Sequence, residues 1–297
     1  MHWRWRRLRL VFMLPHPIPQ YPCLWSVSPL QSDFSPIERL DGQPDSGLIL
    51  LCDHASNALP ADYGTLGLPP AQLERHIGYD IGARAVTHAL SARLRAPALL
   101  TRFSRLLIDP NRGADDPTLV MRLSDGALVP GNARTDHAEI GRRIERFHRP
   151  YHRAIGELVN EKLARGIVPV LFSVHSFTPV WRGVPRPWHV TLLWDKDPRI
   201  ARPLIEAFKR DPALVVGDNE PYDGALEGDT LYQHATLRGL PHALIELRQD
   251  LIGTQEGAQD WADRIARALS PLIIDPAVRR IEHWGSRTGT QAQSSHR

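Results

Sequence analysis

Between residues 47 and 275 two patterns alternate along the chain. Apolar runs of strand length occupy Leu48–Cys52, Ala98–Leu100, Leu106–Ile108, Val168–Val174, Val190–Trp194 and Ala243–Leu247. These runs do not alternate apolar with polar residues, so both of their faces are expected to be covered. Between them lie stretches with helical spacing. In Ile81–Leu94, Ala85, Ala89 and Leu94 fall near one stripe, and Ile140–Leu163 is a longer pattern with a break near Pro150. Arg199–Lys209 and Trp261–Leu269 are amphipathic in the same way. Strands buried on both faces and separated by helices predict an α/β three-layer sandwich, a mostly parallel or mixed central sheet with helices on both sides. In such sheets ligands sit beyond the carboxyl ends of the strands. Residues that do chemistry should therefore follow the apolar runs directly.

The ends of the chain read differently. Residues 1–46 contain many Pro, Ser and Gln residues without a sustained period and are expected to be a poorly ordered extension; residues 276–297 form a polar tail. One domain, 47–275, remains. The apolar run after Arg9 is about five residues, shorter than the roughly 7–15 of a signal peptide. Nothing approaches the roughly 18 apolar residues of a membrane span. The formal charge is +3, but Arg4, Arg6, Arg7 and Arg9 lie in residues 1–31, which hold no acidic residue; subtracting these four from +3 leaves −1. The domain thus lacks the basic excess of a nucleic-acid binder. Cys23 and Cys52 form no disulfide framework and have no metal-ligand spacing, which favours a reducing, cytoplasmic setting.

Polar clusters do follow the runs. The first ends in Cys52-Asp53-His54 and the fourth in Val174-His175-Ser176. Two histidines in equivalent positions after buried strands suit a divalent metal, since neutral imidazole is a good zinc ligand and a catalytic zinc takes three protein ligands. Asp80 is the best nearby carboxylate for the third, with a helix N-cap as its ordinary alternative. Asn57 is a weak ligand by comparison. The third run leads to Asp109-Pro110-Asn111-Arg112-Gly113, where Arg112 could fork a substrate carboxylate and Asn111 add a donor. Arg105 is a second candidate for that anion site. Glu246 sits inside the last run with Leu244 on its own face. Burial raises the pKa of a carboxylate and suits it to be a general base. Arg248 falls on the same face; a buried ion pair with it is the ordinary alternative role for Glu246 and compatible with the first, and Arg248 counts among the candidate substrate-binding residues. His148 and His152 have the four-residue spacing of the zinc-protease helix but lack its glutamate and carry Pro150 between them.

Seven segments in order resemble the N-formylglutamate amidohydrolase family: CDHASNALP at 52–60, GYDIGAR at 78–84, SRLLIDPNRG at 104–113, RPYH at 149–152, SVHSF at 173–177, EPYDG at 220–224 and IELRQDLI at 245–252. The resemblance implies a phosphorylase/hydrolase-like fold related to that of zinc carboxypeptidases and metal-dependent removal of a formyl or other small acyl group from an N-acyl amino acid. It implies Zn²⁺, or another divalent ion, as cofactor and a small molecule as partner, with neither nucleic acid nor membrane involved. Zinc carboxypeptidases draw two ligands from a His-x-x-Glu motif. The matching spacing here gives His54 and Asn57, which moves the expected carboxylate ligand to Asp80. Their substrate-binding Asn-Arg pair resembles Asn111-Arg112, and their late glutamate base resembles Glu246. A different N-acyl amino acid, a small peptide, or a non-catalytic carboxylate-binding role remain as alternatives.

Overall fold

Seven strands form one sheet in the computed structural model, which describes residues 34–288. In chain order they are β1 (Ile37–Leu40), β2 (Leu48–Cys52), β3 (Ala98–Thr101), β4 (Val170–Phe177), β5 (Val190–Leu193), β6 (Val216–Asp218) and β7 (His242–Arg248). Their spatial order is β1-β3-β2-β4-β7-β5-β6. The central four, β3, β2, β4 and β7, are parallel; β1 runs antiparallel to β3, and β5 runs antiparallel to β7. The sheet is mixed, with a parallel centre.

Alternation along the strands divides the core into two layers. Leu48, Leu50 and Cys52 pack with α1 (Ala83–Leu94), α3 (Ala201–Lys209) and α5 (Gln255–Ile274). Ile49 and Leu51 face the other way, onto Tyr151, Ile155, Leu158 and Val159 of α2 (Arg149–Ala164) and Leu231 of α4 (Thr230–His234). Each fully buried aliphatic side chain contributes about 1.5–3 kcal/mol, so a sheet covered on both faces is strongly favoured over one left half bare. This is the three-layer arrangement expected.

Local chemistry explains the helix ends. The break near Pro150 is real: helix His137–Arg143 passes through a wide π-turn, Ile144–His148, into α2, where Pro150 occupies the first turn and needs no N–H partner. Thr254 caps α5 by accepting from Gly257 N, and Asp229 caps α4 by accepting from Tyr232 N.

Four features depart from the sequence expectation. Leu106–Ile108 is not a strand. It is fully buried, but as a turn in which Leu107 N bonds Ser104 O, its side chains filling a separate apolar cluster around Phe103 and Phe147. Burial alone cannot tell a short strand from a buried turn. The sheet also begins before residue 47, because β1 pairs with β3 inside the stretch expected to be unstructured. β6 is an edge strand too short and too polar to announce itself. Residues 276–288 are not simply a tail: Arg199 bonds the carbonyls of Val278 and Arg280, and Arg287 bonds Asp195 and Asp223. Cys52 is free and buried, whereas Cys23 and the basic residues Arg4–Arg9 lie outside the described residues. No helix among the described residues is long and apolar enough to cross a membrane.

Candidate active site

The parallel centre of the sheet brings the candidate residues together at its carboxyl edge. Leu51 is level with Ser173, so Asp53 and His54, just past β2, meet His175 near the end of β4. Glu246 on β7 is directly opposite His175. Asp80 enters from the loop before α1, fixed by its own N–H to His54 O at 2.9 Å. The turn that delivers it requires Gly82, which has φ +84° and would place a Cβ 2.3 Å from Ile252 O.

The donor atoms converge. His54 Nδ1 and His175 Nδ1 lie 3.4 Å and 2.9 Å from Asp80 Oδ2, and one donor atom from each of the three residues is within 4.8 Å of the others. All three residues are buried. Behind each imidazole stands a carboxylate that the sequence reading did not single out. His54 Nε2 donates to Asp109 Oδ1 at 2.7 Å, and His175 Nε2 donates to Asp53 Oδ2 at 2.9 Å. These bonds turn Nδ1 of both rings toward Asp80 and make each ring a stronger ligand, the usual arrangement behind a metal-binding histidine.

Asp53 is held in turn by Tyr151 Oη, Ser173 Oγ and Thr230 Oγ1 at 3.0, 2.8 and 2.8 Å. Asp109 accepts from Arg105 and from Asn111 N. Burial alone would raise these carboxyls, but the bonds from His175 to Asp53, and the charge of Arg105 beside Asp109, hold both well below the usual carboxylate range. Asp80 is lowered against burial by His54 and His175. Three ionised aspartates thus surround the imidazoles while Arg105 is the guanidinium that reaches them, 2.7 Å from Asp109 and 3.6 Å from Asp80. His175, although burial opposes its charging, is raised well above the usual value by Asp53 and Asp80. The site therefore attracts positive charge. Two nitrogen donors, one carboxylate and this excess of negative charge fit a divalent zinc-type ion.

A cavity of about 480 Å³ opens over these groups, within the usual range for a small-molecule site. His54, Asp80, His175, Glu246, Arg105, Asn111 and Arg112 all line it. Burial pushes Glu246 up to about 7, and its Oε2 has no hydrogen-bond partner. Arg248 is the exception among the expected residues. β7 ends there, and its guanidinium turns to Asp250, at 2.8 Å, and to the carbonyls of Arg186, Pro187 and Trp188 instead of to Glu246. Asn57 is also elsewhere, donating to Leu73 O. His148 and His152 contact carbonyls of the Pro110–Arg112 loop and do not join the donor cluster.

The sequence model of N-formylglutamate amidohydrolase matches residues 46–253. The chain belongs to the N-formylglutamate amidohydrolase family. The amidohydrolase segments at residues 52–60, 78–84, 104–113, 173–177, 220–224 and 245–252 are those that meet around the cavity. A solved gene product of Agrobacterium tumefaciens is 33% identical, covers 81% of this chain and 97% of its own, and superposes with a TM-score of 0.76. The N-formylglutamate amidohydrolase of Ralstonia eutropha is 22% identical over 83% of this chain and 99% of its own, with a TM-score of 0.60, and shares the fold. No curated protein sequence matches significantly.

Sequence reasoning missed Asp53 and Asp109, although both adjoin residues it selected. It also passed over Asp229 and Arg186, and quoted Tyr222 only within the EPYDG segment; all three line the same cavity from later loops. Asp229 is pushed up to about 7 by burial.

Proposed function

We propose that this amidohydrolase is zinc-dependent and removes the formyl group from an N-formyl amino acid, N-formyl-L-glutamate above all, giving formate and the free amino acid. The observation that carries the reading is the buried His54–Asp80–His175 donor set standing next to a carboxylate, Glu246, that burial holds near neutrality. A zinc ion on those three residues would polarise the acyl oxygen and make a water more acidic.

The remaining steps belong to the chain. Glu246 takes the proton of the attacking water and returns it to the departing amine, a task suited to a carboxyl that titrates near the working pH. Arg105 supplies positive charge beside the donors, where the acyl oxygen becomes negative. Asn111 and Arg112 hold the α-carboxylate. Arg112 has no carboxylate partner of its own among the described residues; it donates to Thr118 Oγ1 and Asn111 O, which leaves donors for a ligand. Asp53 and Asp109 keep the imidazoles oriented.

Metal analysis and formate release from N-formyl-L-glutamate test the proposal. Glu246→Gln should retain zinc and lose about 10²–10⁴-fold in kcat. Unchanged turnover in that variant removes Glu246 from the mechanism, and zinc-loaded protein that releases no formate removes the function.

A further inference from the structure

The cavity holds a cation that deacylation leaves unused. Arg143, Arg186 and Arg199 are the buried arginines among the described residues. Arg143 is paired with Glu139 and Arg199 with Asp197. Arg186, 8% exposed, has no carboxylate within ion-pair distance among the described residues. Its hydrogen bonds go to neutral hydroxyls, Thr178 Oγ1 at 3.3 Å and Tyr222 Oη at 3.1 Å. Its guanidinium carbon lies 5.8, 5.2 and 5.3 Å from the ring centres of Phe177, Trp181 and Tyr222.

A buried guanidinium without an anion is costly, and proteins normally offset it by pairing. The aromatic cage offsets part of that cost and fixes the plane of the fork. Five N–H donors less the two in use leave others for a ligand. Phe177 is two residues past His175, so the cage is attached to the strand that carries a metal-ligand candidate. The Tyr222 hydroxyl, shifted mainly by burial, also responds to Glu246, Arg186 and Arg105. Arg186 and the reacting end of the cavity therefore share one electrostatic neighbourhood.

We propose that Arg186 is a specificity residue that binds a second carboxylate, the one on the side chain of an acidic N-acyl amino acid, while Asn111 and Arg112 take the α-carboxylate. The assignment rests on the amidohydrolase reading above. It explains why this arginine alone is buried without an acid: the acid arrives with the substrate. A substrate with a neutral side chain leaves the charge unpaired, and a site built around a charged hydrogen bond discriminates strongly against such an analogue.

The test compares N-formyl-L-glutamate with the nearly isosteric N-formyl-L-glutamine on the zinc-loaded enzyme. The wild-type ratio of kcat/KM should favour glutamate by about 10–100-fold, the scale of one charge-assisted hydrogen-bonded contact. Arg186→Gln should collapse that ratio toward unity, mainly through KM for the glutamate substrate, with zinc content retained. Arg186→Lys should keep part of the preference. An equal loss on both substrates, or a ratio that survives Arg186→Gln, overturns the proposal. If wild-type protein hydrolyses neither substrate, it is the amidohydrolase reading that fails. Calorimetric binding of glutamate against glutamine to wild type and Arg186→Gln then decides the role of Arg186 separately: a wild-type preference for glutamate that the variant lacks supports it, and equal binding overturns it.

Discussion

The protein has two groups of histidines in and around its core, and they differ in what stands behind each ring. His54 and His175 meet edge to face, ring centres 4.9 Å apart, each with a carboxylate behind its Nε2. His148 is tilted against His152, with ring centres 4.2 Å apart, and His152 stacks on His234 at 5.2 Å; no carboxylate among the described residues bonds any of the three. His152 Nε2 donates to Pro110 O, so its Nδ1 accepts from His234 Nε2, while His148 Nε2 donates to Arg112 O. Burial, then neighbouring imidazoles, lower His152 to about 3; burial, then Arg238, lowers His234 to about 4. Aspartates prepare the first group for a cation. Burial keeps the second neutral, and bonds from His148 and His152 to carbonyls brace the Pro110–Arg112 loop. Residue type is the same in both groups; the atom behind the ring differs.

The largest expected effect that tests this contrast is on metal content. His175→Ala should lose bound zinc and turnover together, whereas His152→Ala should keep its zinc and lose about 1–3 kcal/mol of stability from the partners left unpaired. Zinc loss in both variants, by elemental analysis, would erase the distinction. A smaller effect belongs to the supporting carboxylates. Asp53→Asn and Asp109→Asn should each weaken zinc affinity by about 10–100-fold in a chelator competition. Unaltered affinity in both would show that orientation of the rings comes from packing alone.

The smallest effect concerns pH. In the unfolded chain histidine takes up a proton near 6.5, but folded His234 and His152 resist until about 4 and about 3. Unfolding therefore binds protons below 6.5, and stability falls as the pH is lowered from there toward 4. Melting temperatures should fall less steeply over that interval in His152→Gln, whose amide can replace both hydrogen bonds without charging. An identical slope in wild type and variant would mean that the second group is not held neutral by folding.

Much of this was legible in the chain because the parallel centre is continuous and apolar. β2 was expected with its observed bounds, and β3, β4, β5 and β7 with shifts of a few residues. The rule that chemistry follows such strands then selected His54, His175 and Glu246. What escaped has physical reasons. β1 and β6 are edge strands with only partial burial, so they carry little apolar signal. Leu106–Ile108 is as buried as a strand without being one. Arg248 shares the face of Glu246 by parity, but parity does not say where a long side chain goes once its strand ends. Asp53 was hidden beside a better-known ligand type, and Arg186 gave no local signal, since its meaning lies in the absence of an acid nearby in space.

Asp53 has one more consequence. Its carboxylate gathers hydroxyls from α2, β4 and α4 along with the ring of His175, contacts that span up to 177 positions of sequence. No fragment that stops short of Thr230 holds all of these donors, so the protein cannot be trimmed to a smaller working unit by ending it before α4. Capture of a cation would then mark the completion of the whole domain and not of any one part.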